Sequence, residues 1–125
     1  EMVKIAASKL HDPRIEVICG DVETIPVRMQ CDCCVIYNAF PHFEEPERLA
    51  ERLAQWVKPG GRLTVAHSMG LEALRRHHAG RAEHVSREML PPKDLAAVLS
   101  PWFRADILMS DEELYLVSAK RADVR

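Results

Sequence analysis

Residues able to do chemistry are grouped at a few points along this 125-residue sequence. Cys31-Asp32-Cys33-Cys34 is the densest group, and with Cys19 it raises the question of a metal. Zinc sites pair cysteines two to four residues apart in a turn and then need a second pair, which this spacing does not supply. Three of the four cysteines lie at the mouth of, or inside, an apolar strand whose neighbouring side chains point to opposite faces. Buried, reduced thiols that pack as small hydrophobes are therefore expected, with no metal. His42, between Phe40 and Phe43, has a pKa suited to taking a proton from a hydroxyl or amine, and simple packing in an aromatic loop is the competing reading. His67 and Ser68 follow a strand-like run and form a further candidate pair. His77 and His78 point apart on a helix, so exposure rather than metal binding is expected for them and for His84.

The bulk composition narrows the classes. A formal charge of −2, from 17 basic and 19 acidic residues, gives no electrostatic footprint for nucleic acid or an anionic membrane. No apolar run approaches the roughly 20 residues that cross a bilayer, and the first residues have neither the basic patch nor the apolar core of a signal peptide. A cytoplasmic protein is expected. With 47% hydrophobic residues there is enough apolar side chain for one modest core, so residues 1–125 are read as a single domain.

The elements that must position these residues alternate between helical and strand-like patterns, which favours a layered α/β fold. Met2 to Leu10 reads as a short helix that ends before Asp12-Pro13, and Ile15 to Cys19 as a strand closed by Gly20-Asp21. After a loop from Val22 to Gln30, Cys33 to Tyr37 is a nearly continuous apolar run, as in a strand covered on both faces. Pro46 suits the first position of a helix in which Leu49, Leu53, Trp56 and Val57 repeat with helical spacing. Glu47, Arg48, Glu51 and Arg52 read as its solvated face, and Lys58-Pro59-Gly60-Gly61 as its stop. Arg62 to His67 is the next strand. Leu71 to His78 reads as a helical turn or two, and Pro92 to Leu99 as a helix with Leu95, Val98 and Leu99 inward. Trp102 to Met109 and Leu114 to Ala119 are strands whose connection is too short for a parallel crossover, hence an antiparallel hairpin.

This order resembles the class I S-adenosylmethionine-dependent methyltransferases of the broad type 11 group. The resemblance runs over essentially the whole chain. It rests on Gly20-Asp21, on Asp32-Cys33-Cys34-Val35-Ile36-Tyr37-Asn38, on Pro41-His42-Phe43 before the Pro46 helix, and on Lys58-Pro59-Gly60-Gly61-Arg62-Leu63. It implies a Rossmann-like fold with a mainly parallel sheet, a C-terminal antiparallel hairpin and flanking helices. It also implies that Asp21 accepts from the exocyclic amine of the cofactor's adenine and that the Val22 backbone N–H meets a ring nitrogen. Asn38, Ala39 and Phe40 would end the strand beside which the activated methyl lies, with His42 a candidate base and His67 and Ser68 on the acceptor side. The bland readings are a turn aspartate, a capped strand end and core aromatics.

The sequence also departs from the family pattern. The family's first strand ends in a G-x-G-x-G loop, and its second in an acid that binds the ribose hydroxyls; neither is present. An incomplete, N-terminally truncated domain is the expectation, lacking the strand at the switch point where ligands bind. The resemblance implies methyl transfer to a small molecule in the intact protein, with the isolated chain inactive. The alternative is a non-catalytic module that self-associates as a homodimer through an exposed sheet edge.

Overall fold

The computed structural model describes residues 2–9, 11–18, 20–37, 39–40, 45–68, 90–111 and 113–122. Helix α1 (Met2–Lys9) is followed by strand β1 (Cys31–Tyr37), helix α2 (Pro46–Trp56) and strand β2 (Val57–His67). Helix α3 (Pro92–Leu99) and strands β3 (Phe103–Ser110) and β4 (Tyr115–Arg121) complete the order. The strands form one sheet in the order β1-β2-β4-β3. β1 pairs with β2 in parallel, whereas β4 runs antiparallel to both β2 and β3. The layered α/β class and the terminal hairpin are as expected. The parallel character expected of most of the sheet is confined, among the described residues, to the β1–β2 pair.

α2 begins as its sequence dictates. Pro46 occupies the first turn, where the missing N–H would have no partner, and Glu47 opposes the positive end of the helix dipole. Its end is less conventional. The chain passes from Trp56 directly into β2 at Val57, and the last carbonyls of the helix are satisfied from elsewhere. Arg121 Nε donates to Ala54 O at 3.0 Å, and Gln30 Nε2 to Gln55 O at 3.2 Å. Lys58 to Gly61 therefore lie within the strand rather than in a turn before it, at an irregularity in the β1–β2 register between Cys31 and Cys33. Lys58 pairs with Asp32 at 3.0 Å across this irregularity.

The register sorts the side chains by face. Cys34, Ile36, Leu63, Val65, Val117 and Ala119 lie on the face where Leu49, Leu53, Leu95, Leu99 and Phe103 complete the core. The opposite face carries Val35 and Tyr37, 65% and 57% exposed. Arg62 on that face makes a two-pronged pair with Asp106, both contacts at 2.8 Å, and also donates to Ser118 Oγ at 2.8 Å. The ladder slips between Ala105 and Ile107, where Asp106 stands. The guanidinium holds the Asp106 carboxyl below the usual carboxylate range.

One expected element is absent. Residues 15–18 form no strand, and Ile15 and Ile18 are exposed. An isolated strand has no ladder to close its backbone hydrogen bonds, and among the described residues nothing pairs with β1 on the side away from β2. The helix expected over Leu71 to His78 lies outside the described residues.

Two adjacent glycines make separable demands. Gly60 has φ +83° with open space around a would-be Cβ, so only backbone conformation excludes a side chain. At Gly61 a Cβ would lie 2.7 Å from Asp32 O and 2.9 Å from Lys58 O, both main-chain atoms. Gly60→Ala is expected to cost about 1 kcal/mol from the left-handed conformation alone. Gly61→Ala is expected to cost about 2 kcal/mol or more, because β1 must move away from β2. Denaturant titration of the two variants checks the order, and an equal or reversed cost would show that the close approach is not rigid.

Candidate functional site

The ends of β1 and β2 define the carboxyl edge of the parallel pair. Tyr37 pairs with Ala66, so the two strands finish level, and Ala39 and Phe40 leave β1 on the edge from which His67 and Ser68 leave β2. In open α/β sheets this edge is where ligands bind. His67 is half-buried opposite Tyr115 in the β2–β4 ladder, and Ser68 is exposed. Tyr115 donates its hydroxyl to Leu90 O at 2.7 Å, tying the entry to α3 against the same edge. Burial pushes the Tyr115 hydroxyl well above the ordinary tyrosine pKa, so it acts as a neutral donor there.

Asp21 opens a compact turn. Its side-chain Oδ1 accepts from Glu23 N at 2.9 Å, and its main-chain oxygen accepts from Thr24 N and Ile25 N, both at 2.9 Å. The turn closes on itself tightly enough that a Cβ on Gly20 would lie 2.6 Å from Ile25 Cγ2. Asp21 is exposed, whereas Val22 packs against the cluster that contains Phe40, Leu49 and Leu53. This packing seats the 21–25 turn on the apolar cluster beneath α2. Phe40 is 4% exposed and serves the core. Asn38 and His42 lie outside the described residues.

The turn is also held from α2, through a residue that the sequence reading placed on the solvated face. Arg52 is half-buried. Its Nε donates to Val22 O at 3.1 Å, Nη2 donates to Ile25 O, and Nη1 donates to Gln55 Oε1 at 3.0 Å. Arg48 lies 3.7 Å from Glu23 beside it. The missed signal is positional. Arg52 falls three residues after Leu49 and four before Trp56, within the helical stripe that faces the protein.

The cysteines are not uniformly buried, which corrects the expectation for Cys33. It is exposed, because β1 turns it with Val35 and Tyr37 to the face that α2 and α3 do not cover. Cys34 points into the core, and desolvation there pushes its thiol up to about 11. Cys31 is partly buried and shifted upward for the same reason, while Cys19 lies outside the described residues.

The family of methyltransferase domains matches residues 1–65, more than half of the chain. The chain belongs to the class I S-adenosylmethionine-dependent methyltransferases. Over 62 residues it is 29% identical to the malonyl-[acyl-carrier protein] O-methyltransferase of Priestia megaterium, an alignment covering 50% of this chain and 23% of that protein. The chain thus spans about a quarter of the length of that relative. Among solved structures, the fold resembles that seen in the complex of the Haloferax volcanii Trm112 methyltransferase activator with a methyltransferase, at TM-score 0.76 and 16% identity. That match covers 97% of this chain and 68% of the other. An S-adenosylmethionine-dependent methyltransferase of Mesorhizobium loti matches at TM-score 0.73 and 14% identity, over 96% of this chain and 76% of its own. The methyl donor of this methyltransferase family is S-adenosylmethionine.

Among the described residues, Asp21 is an exposed carboxylate in a turn fixed by its own main-chain and side-chain hydrogen bonds, a group able to accept from an amine such as that of adenine. No G-x-G-x-G string occurs in these 125 residues.

The cysteine environments are separable in solution. At pH 8 iodoacetamide is expected to alkylate Cys33 at least about tenfold faster than Cys34, since the buried thiol stays protonated. Because the folded pKa of Cys34 is raised, its contribution to stability is complete below the unfolded thiol value and is lost as pH rises toward about 11. Mass spectrometry of an alkylation time course reads this out, and equal rates would contradict the burial of Cys34.

Proposed function

We propose that the protein carrying these residues transfers the methyl group of S-adenosylmethionine to oxygen, nitrogen or carbon of a small molecule in the cytoplasm. The observation that carries this reading is the fixed turn at Asp21 and Val22, packed into the same cluster as the end of β1. Asp21 would receive the adenine amine, and the Val22 N–H would meet a ring nitrogen. Asn38 and Ala39 would lie along the cofactor, with Phe40 supporting them from the core. His67 and Ser68 would face the acceptor, and His42 is the candidate base.

The cofactor supplies an electrophilic methyl on a sulfonium, displaced in line by the acceptor atom. The work left to the protein is to place two reactants and exclude water. Nothing in that task requires a protein nucleophile, which agrees with a site built from turn backbone, one carboxylate and strand ends. No helix among the described residues is long and apolar enough to cross a membrane.

In the full-length protein, Asp21→Ala is expected to weaken S-adenosylhomocysteine binding about tenfold, equivalent to about 1.4 kcal/mol, through loss of one hydrogen bond donated by the adenine amine to a charged acceptor. Isothermal titration measures this. Unchanged affinity in Asp21→Ala would remove the carboxylate from the site, and no binding by the wild-type protein at high micromolar ligand would overturn the methyltransferase reading. The isolated 125 residues are expected to show weak or no binding and no turnover.

A second reading is favoured by β1 itself, which among the described residues is an edge of the sheet and carries the exposed Val35 and Tyr37. Unpaired strand edges template association, so the isolated chain would pair edge to edge with another copy and act as a self-associating module. Light scattering on the 125-residue chain is expected to show a dimer; a stable monomer would eliminate this reading.

A further inference from the structure

We propose that Arg52 is a positioning residue for the adenine end of the cofactor, holding the 21–25 turn at a set distance from α2 without touching the ligand. The inference rests on the methyltransferase reading and adds a residue to its machinery.

The turn has two kinds of support. Internally, Asp21 closes it through Glu23 N, Thr24 N and Ile25 N, which fixes its shape. Shape alone does not fix its place, because residues 15–18 form no strand that would anchor the chain entering it. Position comes from outside, from Val22 in the core cluster, from the looser Arg48–Glu23 pair and from the Arg52 guanidinium on Val22 O and Ile25 O. These two carbonyls are three residues apart and bracket the turn, so a planar fork that engages both resists rotation as well as translation. Lysine is a poor replacement, since its ammonium is a point donor on a flexible stem. Gln55 accepts from Nη1 at 3.0 Å and steadies the guanidinium from one turn further along α2.

The consequence falls on one step. Arg52 bonds main-chain carbonyls of the turn and leaves the Asp21 carboxylate untouched, so losing it lets the turn drift and lowers the fraction of molecules in which Asp21 and the Val22 N–H are correctly placed. Donor and by-product share the adenine, so affinity for both should fall together. The rate at saturating donor should hold, because the reacting methyl lies at the other end of the cofactor.

The test compares Arg52→Met, Arg52→Lys and Arg121→Met in the full-length protein. Arg121 of β4 donates to Ala54 O of α2 and has no hydrogen bond to the turn among the described residues, so its loss weakens the same helix without touching the turn. Arg52→Met is expected to raise the dissociation constant for S-adenosylhomocysteine and the KM for S-adenosylmethionine about tenfold. Its kcat should stay within about twofold, with Arg52→Lys intermediate and Arg121→Met near wild type in affinity. Hydrogen exchange at the Thr24 and Ile25 amides should accelerate in Arg52→Met and not in Arg121→Met, a readout independent of turnover. Wild-type affinity in Arg52→Met, or an equal loss in Arg121→Met, would overturn the positioning role and leave the methyltransferase reading intact. Absence of S-adenosylhomocysteine binding by the wild-type protein would remove both.

Discussion

The direct passage of α2 into β2 is the constraint on which the rest of the structure depends. With no connecting loop, the direction of the helix, the start of the strand and the close approach of Gly61 to the Asp32 carbonyl are set together. The approach fixes the register of β1 on β2, and the register brings Tyr37 and Ala66 level at the carboxyl edge. The same junction leaves α2 with terminal carbonyls that no following turn can cap. Arg121 and Gln30 supply the donors, and so bind β4 and the segment before β1 to one helix end.

α2 therefore links core and site. One stripe of it buries Leu49, Ala50, Leu53 and Ala54 against the sheet. The margin of that stripe carries Arg52, whose charge stays solvated enough to be tolerated while its fork reaches two backbone carbonyls. Packing and polar contacts in this way act on the same turn. Val22 enters the apolar cluster, its carbonyl is held by the guanidinium, and the exposed Asp21 is left as the group presented outward.

The two faces of the sheet contrast. One is closed by α2 and α3 over a continuous apolar cluster. The other holds a polar lattice, in which Arg62 joins Asp106 to Ser118 and Thr64 lies 3.0 Å from the Ser118 hydroxyl, beside the exposed Val35 and Tyr37. The lattice crosses three strands and ties the terminal hairpin to the parallel pair through side chains as well as through the ladder. Burial of Ser118 is tolerated because both neighbours satisfy its hydroxyl.

Local pattern was sufficient for much of this. The Pro46 start of α2, the inward Leu49 and Leu53, the α3 helix and the terminal hairpin were legible because proline geometry, helical periodicity and connection length act over a few residues. The ordered motifs from Gly20 to Leu63 likewise identified the family, since their spacing is a property of the chain itself. Tertiary structure decided the rest. An apolar run at 15–18 has the composition of a strand, but a strand exists only with a partner, and partners are chosen by the sheet. Cys33 and Cys34 are adjacent and alike, and only the side on which α2 and α3 pack determined which is exposed. Arg52 has the composition of a surface charge and a half-buried position at the margin of the core stripe. Its hydrogen bonds became visible only when folding brought two carbonyls from 30 and 27 residues away within reach of its guanidinium.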